Sequence, residues 1–304
     1  MVVHFGTGRL QPEWHSAVAC VGTFDGVHVG HVELVRRAVA RGAELKAPAV
    51  VVTFDRHPSE TLAPAKTPPY IATIDQNLAV FASLGAAACV VLPFDEAFTQ
   101  LSADEFVALL AEKVKSTEYV IGHDFTFGKG REGDGAWLAA RCPTQVVEPV
   151  MVDGVRVSST AIRTAVSEGR VDAATRMLGR PFALQGAVVG GQQLGRTLGF
   201  PTVNLAHSGR LLIPADGVYA GWATTVKGKF RAAISVGMRP AVGGQHRTVE
   251  AFLLDYPGDS LYGSAIELHF PRWIRGEADF PDLEALKGQI ALDVAFVAAQ
   301  VPTP

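Results

Sequence analysis

The first half of the chain switches repeatedly between two hydrophobic periods. Strand candidates rich in apolar residues lie at 17–24, 49–54, 88–92, 118–122 and 145–152. Between them apolar residues recur at helical spacing over 30–43, 74–84 and 102–115. Ser102 followed by Glu105 opens the last of these as a capping box. Apolar strands that alternate with helices predict a parallel sheet covered on both faces. Two shorter helices are expected at 160–168, closed by Gly169, and from Val171 to Leu178. Gly179-Arg180-Pro181 then reads as a domain boundary.

Beyond that boundary glycine and β-formers become frequent. Runs at 184–190, 218–226, 230–236, 247–254 and 264–270 read as strands spaced for an antiparallel barrel. A last helix is expected over 282–299, with Leu283, Leu286, Ile290, Val294 and Val297 along one stripe.

Composition narrows this picture. A length of 304 residues suggests about two domains, and 48% hydrophobic with 19% charged residues is globular. A net charge of -3 without a basic block argues against non-specific nucleic-acid binding. No run approaches the roughly 18 apolar residues of a membrane span, and Met1-Val2-Val3-His4-Phe5-Gly6 lacks a signal-peptide layout. Cys20, Cys89 and Cys142 are far apart and show no metal spacing. The first two sit in apolar runs, where burial is expected, and a reducing cytoplasm fits all three.

The densest chemistry is V-G-T-F-D-G-V-H-V-G-H, Val21 to His31, where the first strand hands over to the first helix. Gly22 and Gly26 allow a tight turn. If the turn is helical, His28 and His31 share one face at i,i+3. The first turn of a helix offers free N–H groups to phosphate, and two imidazoles can add donors. A loop carrying two surface histidines is the plain alternative.

Three more stretches stand out. Gly122 to Arg131 combines glycines, Phe125, Phe127 and two cations, and suits either ring stacking or plugging of the core; Asp134 just beyond it suits a turn or helix cap. Ser158-Ser159-Thr160-Ala161-Ile162-Arg163 is an N-cap cluster that also points a guanidinium toward a helix start. Gly195-Arg196-Thr197-Leu198-Gly199-Phe200-Pro201-Thr202-Val203-Asn204 allows close backbone approach to phosphate. If extended, it places Thr202 and Asn204 on one face, a hydroxyl and an amide suited to Mg²⁺. Glu250 is a lone carboxylate in an apolar strand, either salt-bridged or used.

Five segments in one order resemble the bifunctional bacterial riboflavin kinase/FMN adenylyltransferase family. They are G-x-F-D-G-x-H-x-G-H at 22–31, D-F-x-F-G at 124–128, S-S-T-x-x-R at 158–163, L-G-F-P-T-x-N at 198–204, and V-E-x-x-L-L-D with L-Y-G at 249–263. The resemblance implies a Rossmann-like nucleotidyltransferase domain over 1–180 and a Greek-key β-barrel kinase domain with a C-terminal helix over 183–304. It implies that riboflavin is phosphorylated to FMN and FMN adenylylated to FAD, with ATP and Mg²⁺. Glu250 is then the base, and Thr202 and Asn204 hold the metal. His28, His31 and Arg163 serve catalysis; Gly22, Phe24, Gly30, Ser159, Thr160, Gly195 and Arg196 bind ATP or its phosphates; Asp124, Phe125 and Arg275 meet the flavin. Partners are expected to be small molecules, with no nucleic acid or membrane, and a weak homo-oligomer is left open.

The chain departs from the family where Ala241 and Val242 replace Thr and Phe and where Asp279 reverses a charge, which bears on flavin affinity or loop closure. A pantetheine-phosphate nucleotidyltransferase would need no barrel carrying L-G-F-P-T-x-N. A regulator without catalysis would not need Glu250, His28 and His31 together. A nucleic-acid-binding barrel would show a basic face.

Overall fold

The computed structural model describes residues 1–8, 12–191, 194–241, 244–258 and 260–303, without the side chains at 194, 196, 239–241 and 244–246. The side chains of Arg196 and Ala241 and all of Val242 thus lie outside the described residues. Two compact units emerge: Met1–Pro68 with Thr73–Ser159, and Pro69–Ala72 with Thr160–Pro304.

The first unit holds a parallel sheet in the order β1-β4-β3-β2-β5-β6. Its strands are β1 (Val2–Phe5), β2 (Ala17–Val21), β3 (Ala49–Phe54), β4 (Ala88–Leu92), β5 (Ser116–Gly122) and β6 (Thr144–Val147). Residues 17–21 are all buried, and alternate ones enter opposite clusters: Ala17, Ala19 and Val21 pack on one face, Val18 and Cys20 on the other. That is the two-sided burial an apolar strand needs. Helices α1 (Val29–Leu45), α2 (Pro58–Leu62), α3 (Ile74–Ser83), α4 (Ala103–Leu109) and α5 (Gly135–Ala139) lie between the strands. The capping box of Ser102 and Glu105 is formed, and Asp134 caps α5 by accepting from the Trp137 N–H at 2.8 Å. Strands β7 (Met151–Val152) and β8 (Val155–Arg156) make a small hairpin.

Several bounds differ from the sequence expectation. The first strand stops at Val21 rather than residue 24, because Phe24 turns the chain with φ 50°. The run 145–152 splits into β6 and β7. The helix expected over 102–115 passes into a π-helical turn at Leu110–Val114. Strand β1, an edge strand largely open to solvent, carries no expected element.

The second unit opens with most of α6 (Ser159–Ser167) and with α7 (Val171–Leu178), then closes a six-stranded antiparallel barrel in the order β10-β13-β12-β11-β14-β9. The strands are β9 (Phe182–Val189), β10 (Thr202–Ala206), β11 (Gly217–Thr225), β12 (Gly228–Ala241), β13 (Gly244–Leu253) and β14 (Ala265–Arg275). A single turn, α8 (Leu194–Thr197), precedes β10, and α9 (Leu283–Gln300) ends the fold. Helix α9 packs on the barrel through Val294, Phe296 and Val297. Leu283 is 55% exposed, so the expected apolar stripe does not reach the first turn of the helix.

Candidate active sites

In the first unit, β2 ends and the chain reverses through residues 22–28. The Gly22 N–H donates to Val52 O at 3.1 Å, and a side chain on Gly22 would meet the Phe24 ring at 3.1 Å. Phe24 (φ 50°) and Val27 (φ 36°) adopt the left-handed region that suits glycine. Each costs on the order of 1–3 kcal/mol, which their burial offsets; they are 1% and 0% exposed. Phe24 packs edge-on against Phe81 and His31, so its ring belongs to the core.

His28 is the N-cap of α1. Its Nδ1 accepts the backbone N–H of His31 at 3.2 Å. An accepting Nδ1 puts the proton of the neutral ring on Nε2, which leaves that nitrogen as a donor. The two imidazoles stack at 3.6 Å and 13°. Gly30 permits this, since a Cβ there would meet the His28 ring at 3.1 Å. The i,i+3 pairing expected for His28 and His31 is therefore realised at a helix start. Ser159 Oγ donates to Asp25 O at 3.1 Å, tying the serine cluster to the same turn. The Asp25 side chain is itself buried, at 4% exposure, and the sequence reading did not single it out.

The carboxyl edge of the same sheet carries an aromatic wall. Phe54 ends β3, Phe94 follows β4, and Phe125 follows β5. Phe54, Phe94 and Phe98 contact one another with centroids 5.1–5.5 Å apart. Phe98 continues through Phe106 to Phe127, on which Phe125 stacks at 5.4 Å. Phe127 plugs the core, whereas Phe54, Phe94, Phe98 and Phe125 remain half-buried. Asp124 is exposed and paired with Arg156 at 2.7 Å. Ligands of parallel sheets bind beyond this edge.

The second unit holds its candidates in strand register. Asn204 on β10 lies opposite Glu250 on β13, and Glu250 lies opposite Ser235 on β12. Directly opposed residues share a face. Thr202 Oγ1 donates to Glu250 Oε2 at 3.2 Å, and Glu250 is 9% exposed. Asn204 needs Gly191, where a Cβ would lie 2.2 Å from Nδ2. Gly195 is likewise held bare: its carbonyl accepts the Phe200 N–H at 2.7 Å, and a Cβ would meet Phe200 O at 2.4 Å. Thr160 is exposed, and Arg163 donates from Nε to Pro69 O at 2.8 Å. Arg275 is engaged by Asp293 on α9, with Nη2 2.7 Å from Oδ2. Arg275 Nε is 3.1 Å from both Asp293 oxygens.

An α/β sheet with a histidine-capped strand-to-helix turn, followed by a barrel with a buried carboxylate beside a hydroxyl and an amide, fits the class of two-part phosphoryl- and nucleotidyl-transferring enzymes. Family models agree in the same order: FAD synthetase matches residues 10–161 and riboflavin kinase matches 178–301. A bifunctional riboflavin kinase/FMN adenylyltransferase of Pseudomonas fluorescens is 36% identical over 97% of this chain and 96% of its own length. Its counterpart in Escherichia coli K12 is 35% identical over 93% of this chain and 92% of its own length. A solved structure from Streptococcus pneumoniae, described as a macrolide-efflux protein, superposes with a TM-score of 0.89 at 29% identity. It covers 98% of this chain and 99% of its own. The chain belongs to the bifunctional riboflavin kinase/FMN adenylyltransferase family. It is a flavin-biosynthetic transferase that uses ATP, with riboflavin, FMN and FAD as substrates and products. Among the described residues no helix is long and apolar enough to cross a membrane.

Proposed function

We propose that residues 1–180 carry the adenylyltransferase and 183–304 the kinase, each with its own set of acting side chains. The observation that carries the kinase assignment is the bonded pair of Thr202 and Glu250 with Asn204 across the ladder. An alcohol is a poor nucleophile at neutral pH, so a positioned base is needed. Glu250 takes the proton of the ribityl 5′-hydroxyl as its oxygen bonds to the γ-phosphorus of ATP. The bond from that phosphorus to the bridging oxygen breaks, and ADP leaves.

The donor set fits Mg²⁺. Thr202 donates a hydrogen bond to Glu250, which leaves its own oxygen lone pairs to face a cation, and the Asn204 amide is seated on bare Gly191. Mg²⁺ commonly takes only one or two protein oxygens beside phosphate oxygens and water. When bound it offsets charge on the transferring phosphoryl group. Gly195 and Arg196 serve the phosphates of the same ATP.

In the first half the nucleophile is an FMN phosphate oxygen, whose second pKa is near ~6, so no protein base is required. It attacks the α-phosphorus of ATP and pyrophosphate leaves. His28 donates from Nε2, and His31 and the N-terminal amides of α1 add positive potential where charge builds. Gly22 and Gly30 keep the backbone close, and Phe24 shapes the turn from beneath. Ser159 steadies that turn; Thr160 and Arg163 serve the nucleotide phosphates. Asp124 and Phe125 meet the flavin, with Phe54, Phe94 and Phe98 as the rest of a stacking wall. Arg275 fixes the loop that borders the kinase flavin. The chain acts in the cytoplasm on small molecules, without nucleic-acid or membrane partners, as a monomer or weak homo-oligomer.

Product analysis by HPLC after incubation with riboflavin, ATP and Mg²⁺ tests this reading. FAD is the expected end product, and chelation of Mg²⁺ should stop the chain of reactions. FAD formed only from supplied FMN would remove the kinase assignment.

A further inference from the structure

Residues 276–282 connect β14 to α9 and are fastened at both ends. Arg275 grips Asp293, which also accepts from Gln289 Nε2 at 2.9 Å. Asp282 caps α9 by accepting the Ala285 N–H at 2.8 Å. Between these anchors Glu277 folds back onto the barrel wall at Gly237. A Cβ on Gly237 would lie 1.9 Å from Glu277 Oε1 and 2.9 Å from its Cδ, so the bare glycine accommodates the carboxylate of this exposed side chain, and a side chain there would push it aside.

The register says which face the carboxylate occupies. Ser235 pairs with Glu250, and Gly237 pairs with Thr248, two residues further along. Residues i and i+2 of a strand share a face, and so do directly opposed residues. The place of the missing Gly237 Cβ is therefore on the face that carries Glu250. Glu277 fills it, two pairs along the ladder, about 6.8 Å away. Ser235 and Thr248 put hydroxyls on the same strip.

We propose that Glu277 binds the ribityl hydroxyls of riboflavin and is a specificity residue of the kinase half; this rests on the reading of Glu250 as the base. From ring nitrogen to terminal oxygen an extended ribityl chain has six bonds, each advancing about 1.25 Å, and spans roughly 7–8 Å, enough to cover the step along the ladder from Ser235 to Gly237. With the terminal hydroxyl at Glu250, the inner hydroxyls pass Ser235 and reach Glu277. A carboxylate accepts from two hydroxyls at once, and such charge-assisted bonds are the stronger kind. The flavin ring then lies beyond the carboxylate.

The test uses the full chain in the kinase reaction, with lumiflavin (the same ring without the ribityl chain) as competitive inhibitor. E277Q should raise the KM for riboflavin about tenfold while the Ki of lumiflavin stays put. Gly237→Ala, which displaces Glu277 with its charge intact, should show the same split. The KM for FMN in adenylylation should not move in E277Q. An unchanged riboflavin KM in E277Q, or a lumiflavin Ki that rises by the same factor, overturns the proposal. Failure of the unaltered chain to phosphorylate riboflavin would instead remove the kinase reading beneath it.

Discussion

The two candidate sites are built in opposite ways. The first is nearly one stretch of chain: Gly22, Phe24, His28, Gly30 and His31 sit within ten residues, around one strand-to-helix turn. The second is assembled by register, with Thr202 and Glu250 brought to 3.2 Å across 48 positions. A helix start supplies its own donors, so a short motif suffices to make a phosphate site. A barrel wall supplies no spare backbone groups, because the ladder uses them. Its chemistry must come from side chains that closure of the barrel places in one row. That contrast predicts that the two activities respond to different perturbations.

The largest effect is expected for Glu250→Gln. FMN formation should fall by on the order of 10²–10⁴, the usual worth of a general base, while FAD formation from FMN stays intact. Next comes His28, which has two roles that separate. His28→Ala removes both the Nε2 donor and the helix cap: adenylylation should fall by about 10²–10³, with about 1 kcal/mol of stability lost. His28→Asn keeps an oxygen able to accept the His31 N–H, so thermal unfolding should stay close to that of the unaltered chain while adenylylation is still lost. An equal loss of stability in both variants would contradict the capping role.

A smaller effect belongs to Gly191→Ala. A methyl group 2.2 Å from the Asn204 amide must displace it. The Mg²⁺ concentration for half-maximal FMN formation should rise about tenfold, as for a ligand that loses its support. The smallest effect concerns the cores of the first unit. Burial pushes the Cys89 thiol up to about 12 and the Cys20 thiol higher still. The thiolate is the reactive form. Of the three cysteines, only half-buried Cys142 should react with a disulfide reagent in the folded chain, and all three after denaturation.

Much of this was legible in the residues, for reasons that differ by region. The apolar runs of β3 and β4 and the capping box at Ser102 are local signals and match their elements closely. The first motif was legible because all its parts are contiguous. The barrel row was legible as parts only: Thr202 and Asn204 stood out as alternate positions, Glu250 as a charge in an apolar strand, and their meeting is a property of the barrel. Phe54, Phe94 and Phe98 gave no signal, since three phenylalanines near strand ends look like core until the sheet brings those ends together. Asp25 was hidden inside the motif, where a charged residue in a glycine turn reads as exposed. Strand β1 was missed because an exposed edge strand of four residues shows no periodicity. Glu277 stands two residues before Asp279 and carries no signal of its own; its contact with Gly237 joins residues forty apart in sequence.

The central claim is that the two halves are chemically separate. Its most direct measurement assays both half-reactions, FMN from riboflavin and FAD from FMN, on folded Glu250→Gln and folded His28→Ala. The account predicts a crossed result: the first variant keeps only adenylylation, and the second keeps only phosphorylation. Loss of both half-reactions in either folded variant would contradict it.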